Sequence, residues 1–579
     1  MKKDILFFKV SGEDGLDLEL TNTKEKDGIA IYSFKLSWTP ENAENDSTIA
    51  IDWEIPMLSC FYKWSPLCGP WKCVHTGLKN SMLSVNAPVD CIYDGNGNNR
   101  YCYAVSECAK NVKYGCYVVE ETANAAIKLR ISVAQYTGKL DTTFDIYIDT
   151  RKVPMHEAVR GIADWWANDC GMTPAYVPEI AKEPLYSFWY SYHQNLTDKD
   201  IEDECRRAKE LGFGVCIVDD GWQTADLGRG YGYCGDWKPE PTKIPDMAAH
   251  VARVHDIGMK YVLWYSVPFI GYYSENYKRF ENKLLYHQKG LQAGVVDPRY
   301  KEVREFLKKV YVKALTEWKL DGFKLDFIDE WRDMPNNAPY NEEMDIPALQ
   351  DAVDVFMTDV SKTLKAINPD IMIEFRQRYI GPNMRKYGNM FRVGDCPDDY
   401  TSNRFGVLDL RMHLGDSAVH SDMLMWHKDE TPENAAIQII NVLFGVLQYS
   451  FKLDGIRDDI KKMSKFWLSF MKEHKSLLLD VPVASYEPHM QYTWAKTVKD
   501  DECAIAVYST DKCVKPDDVK TIYIANGTCA DRVVVDITGE YNVRVYNCMG
   551  VIVCDEVRKL ENISSINTPT GGLVVLERR

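Results

Sequence analysis

Lys324 and Asp326 stand two residues apart in the run Gly322-Phe323-Lys324-Leu325-Asp326-Phe327-Ile328, which is otherwise apolar. On a strand this spacing points both side chains to one side. Opposite charges projecting from an apolar strand are costly unless they meet solvent, each other or a ligand. At the C-terminal end of a barrel strand they read as site chemistry; elsewhere they form a structural ion pair, and the run alone leaves both open. Other apolar runs end in polar or aromatic groups of the same kind: His193, Asp219, Asp220, Trp222, Trp264, Glu374, Arg376, Arg392, Asp395 and Asp422.

Such a set of carboxylates suits glycoside hydrolysis. That reaction needs two carboxyl groups flanking an anomeric carbon, one ionised and one protonated. Asp326 beside Lys324 fits the ionised role, because a nearby cation lowers a carboxyl pKa. Asp395 lies among Asp398 and Asp399, and like charges raise a pKa, which suits an acid; Arg392 pulls the other way. Asp219-Asp220 suits a clamp on sugar hydroxyls, or else a helix N-cap. Trp222 and Trp264 are ring platforms or plain core. Two readings from other classes stay open: a metal-dependent barrel lyase or isomerase with Asp and Glu holding Mg²⁺, and a barrel that binds sugar without turnover.

These residues need a scaffold, and the hydrophobic pattern supplies one. Residues 1–150 alternate apolar and polar with turn signals between, as in Ile29-Ala30-Ile31-Tyr32-Ser33-Phe34-Lys35-Leu36, and predict a β-sandwich. Within it, Trp64, Pro66, Gly69, Pro70 and Trp71 make an aromatic loop, read first as packing rather than as a ligand wall. A linker with a helix over 153–168 fills 151–182. Strand and helix then alternate over 183–478, with strands predicted at 184–190, 214–218, 260–264, 322–328, 371–376, 390–393, 418–425 and 446–453. Residues 295–297 are taken as a lead-in. Eight strands make a (β/α)8 TIM barrel. Residues 479–579 return to alternation and predict a C-terminal antiparallel β-sheet domain.

The composition narrows the partners. The 579 residues carry a net charge of -16, which argues against nucleic acid or an anionic membrane surface. The 17 cysteines form no CxxC pair, and Cys68, Cys73 and His75 match no zinc spacing. The first residues are too short in apolar run for a signal segment, and no stretch approaches the ~18 apolar residues of a membrane helix. The expectation is a cytoplasmic protein with reduced thiols, either monomeric or a homo-oligomer.

Phe323-Lys324-Leu325-Asp326 resembles the Lys-x-Asp nucleophile motif of the α-galactosidase clan, especially glycoside hydrolase family 36. Val218-Asp219-Asp220-Gly221-Trp222 is similar to that family's Asp-Asp-Gly-Trp segment, and Gly235-Asp236-Trp237 with Lys243-Ile244-Pro245 to its second βα loop. Arg392-Val393-Gly394-Asp395 resembles the region of its acid/base Asp. The order of motifs and of domains matches too. The resemblance implies a retaining α-glycosidase, first an α-galactosidase, with no metal or organic cofactor. Asp326 would be the nucleophile and Asp395 the acid/base, with Asp398 as the fallback. Asp219, Asp220, Trp222, Trp264, Lys324, Glu374, Arg376, Arg392 and His193 would surround the sugar. An α-N-acetylgalactosaminidase or an α-galactosyl transglycosidase is a variant of the same site. The chain departs from the family where Leu325 replaces a Trp. It departs again where Glu374-Phe375-Arg376-Gln377-Arg378-Tyr379-Ile380-Gly381-Pro382 replaces a Cys and a Gly-rich turn near the sugar 2-position.

Overall fold

The computed structural model describes every residue of the chain except Pro70, Trp71 and Gln377. Residues 2–149 form two six-stranded sheets. In the strand Thr48–Pro56, Ile49, Ile51 and Trp53 face inward and their neighbours face out, the period-2 pattern of a half-buried strand. They meet Phe34, Phe144 and Ile146 of the opposite sheet in one core, and Trp53 Nε1 donates to Tyr101 Oη across it at 2.9 Å.

The middle of the chain closes a parallel barrel. Its strands are β1 (Leu185–Ser187), β2 (Val215–Val218), β3 (Lys260–Ser266), β4 (Gly322–Asp326), β5 (Met372–Arg376), β6 (Met390–Arg392), β7 (Ala418–His420) and β8 (Gln448–Tyr449). They run in chain order around the sheet. β8 pairs with β1, and the bridges His420–Val446 and Leu424–Tyr449 close the other side. Ala293–Val296 lies outside the barrel, paired with Phe269–Gly271 and Leu284–Gln288, which fits a lead-in segment.

The longer helices are α1 (Met155–Asn168), α2 (Asp198–Leu211), α3 (Met247–Ile257), α4 (Lys301–Glu317), α5 (Leu349–Ile367), α6 (Tyr400–His413), α7 (Pro432–Asn441) and α8 (Asp458–Glu473). α2 begins at a Thr197–Asp200 capping box and ends on Gly212 at φ 112°, the start and stop that its sequence predicts. Among the described residues between β5 and β6 there is only the 3₁₀ turn Met384–Lys386 in place of an α-helix. α1 packs against α6 beside this gap, and buried Arg385 Nη2 donates to Ala163 O of α1 at 3.1 Å.

Three strands are shorter than expected by four residues or more, and β4 ends at Asp326, two residues before its predicted end. β1 stops at Ser187 and the chain turns into a short helix, Trp189–Tyr192, whose aromatic composition reads as strand in the sequence. β7 and β8 keep only three and two residues, so Asp422 sits on a loop after β7. Residues 484–578 hold a seven-stranded sheet and a three-stranded one. They are antiparallel except where Glu502–Val507 pairs with Thr521–Asn526 and Cys513–Val514 with Arg532–Asp536. No helix among the described residues is long and apolar enough to cross a membrane.

Candidate active site

The predicted residues converge at the C-terminal ends of β1 to β7. Lys324 and Asp326, on alternate positions of β4, share the barrel interior as their spacing predicts. Lys324 Nζ donates to Asp219 Oδ2 at the end of β2, at 2.5 Å. Asp326 is 6% exposed and is wrapped in donors. Its Oδ1 accepts from Arg376 Nε at 2.6 Å, from the Phe327 backbone N at 2.8 Å and from Tyr379 Oη at 3.1 Å. Among the described residues its Oδ2 accepts only from Trp264 Nε1, at 3.0 Å. Burial by itself would raise this carboxyl's pKa, but Arg376 and then Lys324 outweigh it and hold it well below the usual carboxylate range. Phe327, which follows, has φ 64° and lies under Arg376, whose guanidinium is 5.0 Å from its ring centre.

Arg376 also reaches Asp395: its Nη1 is 3.9 Å from Asp395 Oδ2. One guanidinium is therefore hydrogen-bonded to Asp326 and within ion-pair range of Asp395, the two carboxylates of the predicted pair. Asp395 is the more open of the two, with 47% of its side chain exposed. It accepts from Arg392 Nη2 at 2.7 Å. The tug between Arg392 and the neighbouring aspartates comes out on the side of the arginines. Burial raises the Asp395 pKa, Arg392 and Arg376 lower it more, and it ends below its ordinary value. The sequence leaves this contest open; Asp398 and Asp399 do not prevail, because neither aims at Asp395. Asp398 Oδ1 accepts from Gln438 Nε2 of α7 at 2.9 Å, and Asp399 caps α6 through Ser402 N.

Asp219 and Asp220 do not cap a long helix. Asp219 Oδ1 accepts from the Asp220 backbone N at 2.9 Å. Asp220 is held by Gln194 Nε2 at 2.7 Å and Gln223 Nε2 at 2.6 Å, and burial pushes its pKa up to about 7. Gly221 makes this possible. A Cβ at that position would lie 2.5 Å from Gln194 Cα, and its φ is 116°. Lys243 Nζ staples the same approach, donating to the carbonyls of Gln194 and Gly221. His193 precedes Gln194 at φ 48° against the Trp189 ring, and burial, then Arg229, lower its pKa.

Four predicted binding residues sit in supporting positions. Trp222 is fully buried, donates from Nε1 to Trp264 O at 2.9 Å, and packs against Trp237, Tyr265 and Trp318, so it offers no platform to a ligand. Glu374 is equally buried, one interior position below Arg376 on β5, and takes Gln448 Nε2 at 2.6 Å. Arg392, 1% exposed, is clamped by Asp422 and Asp395. Trp264 is 1% exposed; its role is the hydrogen bond to Asp326, with its ring stacked on Tyr231. Trp222→Ala should cost about 3–5 kcal/mol, as for other large buried aromatics, and lower the midpoint of chemical unfolding. An unchanged midpoint would return Trp222 to the list of ligand platforms.

The sequence reading missed Tyr379, Gln194, Gln223 and Asp329. Asp329 lies beyond Asp326 in the turn Ile328–Glu330, and burial, partly offset by Arg376, pushes its pKa up to about 6. The signal for Tyr379 was its place three residues after Arg376 at a strand end. Gln377, part of the departing segment, lies outside the described residues.

A sandwich, a parallel eight-stranded barrel and a terminal sheet, with acidic groups gathered at the barrel mouth, define the class: a carboxylate-bearing barrel protein. The melibiase family model matches residues 181–480, more than half of the chain, and the chain belongs to that family. It is similar to the α-galactosidase Mel36A of Lactobacillus acidophilus, with 27% identity over 299 residues, 48% of this chain and 38% of that protein. The match thus spans well under half the length of that relative. Among solved structures it resembles the GH36 α-galactosidase AgaA of Geobacillus stearothermophilus in complex with raffinose. That likeness has a TM-score of 0.64 at 15% identity and covers 99% of this chain and 83% of that one. It also resembles a GH31 sulfoquinovosidase from E. rectale, with a TM-score of 0.58 at 10% identity, covering 99% and 92%. At such identities the structural likeness speaks for the fold alone.

Proposed function

We propose that this protein is a retaining α-glycosidase that releases terminal α-galactose, with Asp326 as nucleophile and Asp395 as acid/base. The observation that carries the reading is the single guanidinium of Arg376 within ion-pair range of both carboxylates at the barrel mouth, 2.6 Å from Asp326 and 3.9 Å from Asp395. Retaining chemistry needs the two carboxyl groups about 5–5.5 Å apart, and two groups sharing one cation are close enough to flank one sugar ring. Membership of the melibiase family and relatives named α-galactosidases support galactose as the sugar.

The hydrogen bonds support a choice of reacting atom. Among the described residues Asp326 Oδ1 is taken by three donors and Oδ2 by Trp264 alone, which favours Oδ2 as the atom that attacks the anomeric carbon. The bond to the leaving oxygen breaks as that oxygen takes the proton of Asp395. In the second step a water gives its proton to Asp395 and its oxygen attacks the anomeric carbon, and Asp326 leaves as carboxylate. Arg376 stays on Oδ1 and keeps Asp326 ionised before attack and after its release from the sugar. Asp219 and Asp220 receive the sugar hydroxyls, with Lys324 fixing the first and Gln194 and Gln223 the second. Seventeen unpaired cysteines support a reducing, intracellular setting.

Asp395 is held ionised at rest, which suits its base role. Its acid role requires a proton, so kcat/KM for poor leaving groups should fall early as pH rises. Removing a cation from beside a carboxylate raises its pKa, so Arg376→Met should move that basic limb upward by about one pH unit. A limb that stays in place would separate Arg376 from Asp395. The activity itself is tested by a screen of aryl α- and β-glycosides, N-acetylgalactosaminides included. Turnover of the α-galactoside above all others is expected, and turnover confined to another sugar or to β-linkages would overturn the assignment.

A further inference from the structure

Next to Asp395 the structure opens a cavity of about 530 Å³. Residues 393–397, which carry Asp395, form one wall. Phe405 and Leu410 of α6 form the floor, and the sandwich loop 66–69 with Leu67 forms the opposite wall. Gly406 brings the floor to the acid-bearing segment: a Cβ there would lie 2.5 Å from Val393 Cγ1. The volume falls in the usual range for small-molecule sites, about 300–1,000 Å³, and exceeds what one six-membered ring needs.

The walls are mainly apolar, and most of their polar groups are already engaged; the exception is His413 Nε2, which is buried and has no partner among the described residues. Asp409 accepts from Trp64 Nε1 at 2.9 Å, from Tyr492 Oη and from Lys72 Nζ. Asp399 is occupied by Ser402 at the start of α6. A sugar placed here would give up water at several hydroxyls and find few partners, a cost of about 1–3 kcal/mol for each group left unpaired. An apolar ring gives up nothing and buries its surface against Phe405 and Leu67. Leu67 is 45% exposed, so its side chain has surface to contribute.

Asp395 belongs to both the catalytic pair and this cavity. The leaving oxygen must come to Asp395, and whatever that oxygen carries extends past it. We propose that this cavity receives the leaving group, and that the preferred substrates are α-galactosides of apolar, ring-bearing alcohols rather than oligosaccharides. The inference rests on the galactosidase reading above. The sandwich loop, expected from sequence to be packing, thereby becomes a wall of the substrate site; its neighbours Pro70 and Trp71 lie outside the described residues.

The test compares methyl α-galactoside, cyclohexyl α-galactoside and raffinose as substrates of the full chain. The cyclohexyl compound should show about ten-fold higher kcat/KM than the methyl one, and raffinose no advantage over methyl. Phe405→Ala and, on the facing wall, Leu67→Ser should each bring the cyclohexyl-to-methyl ratio down toward unity. A ratio measured on one preparation is insensitive to the fraction folded. Ratios unchanged in both variants, or raffinose preferred over the cyclohexyl compound, would overturn the inference and leave the galactosidase reading standing. Failure to turn over all three would overturn the galactosidase reading, and the inference would fall with it.

Discussion

Asp326→Asn should reduce hydrolysis of aryl α-galactosides by about four orders of magnitude or more, because an amide cannot form the glycosyl-enzyme. The change keeps the shape of the side chain, so Trp264, Tyr379 and the Phe327 backbone retain a neighbour of similar size. Added azide supplies the missing nucleophile. It should restore turnover of a reactive substrate and yield β-galactosyl azide, with one inversion instead of two. The charge change has a second signature. A carboxyl whose folded pKa is depressed contributes stability above its unfolded value, about 3.9, and loses that contribution as pH falls toward the folded value. The Asn variant lacks this contribution, so its stability should depend less on pH below about 4 than that of the wild type. Substantial hydrolysis without azide would show that Asp326 is not the nucleophile.

Asp395→Asn should split substrates by their leaving groups, the second large effect. A nitrophenolate departs with little help, so its first step should be nearly spared, whereas methyl galactoside should lose about 10²–10⁴-fold, the usual range for general acid catalysis. With the base also gone, the glycosyl-enzyme should accumulate and give a burst with the nitrophenyl substrate. Azide should then release α-galactosyl azide, the retained anomer. Asp398→Asn is the matched comparison. Its side chain is exposed and turned to Gln438, so the leaving-group pattern of the wild type should persist. Equal losses on all leaving groups in Asp395→Asn, or the selective pattern in Asp398→Asn, would move the acid/base role.

Much of this scaffold was legible from periodicity. All eight barrel strands lie on the predicted runs, with β3 continuing two residues past its predicted end, because a strand buried on both faces reads as an apolar run wherever it sits. Their ends were less legible. Trp189–Tyr192 has strand composition but helical backbone, and β8 keeps two residues of an eight-residue apolar run, since pairing depends on neighbours that the local sequence does not encode. The site followed the same division. Lys324 and Asp326 were readable because a period of two fixes their shared side. Trp222 was misread because a Trp in a loop motif looks like a platform, and only the surrounding Trp237, Tyr265 and Trp318 reveal a core. The electrostatics of Asp395 were unreadable for a sharper reason. Proximity in sequence to Asp398 and Asp399 suggested repulsion, while the dominant partner besides Arg392 is Arg376, nineteen residues away. Tyr379, Gln194 and Gln223 belong to no charge pattern; they are hydrogen-bond donors that matter through the carboxylates they hold.

The most direct measurement is to trap the covalent intermediate. A fluorinated α-galactosyl fluoride that forms the glycosyl-enzyme faster than it is hydrolysed should inactivate the protein with one sugar bound per chain. Peptide mapping should then place the added mass on the carboxylate of Asp326. A sugar found on Asp395, Asp329 or any other side chain, or steady turnover to the inverted anomer with no label, would contradict the account.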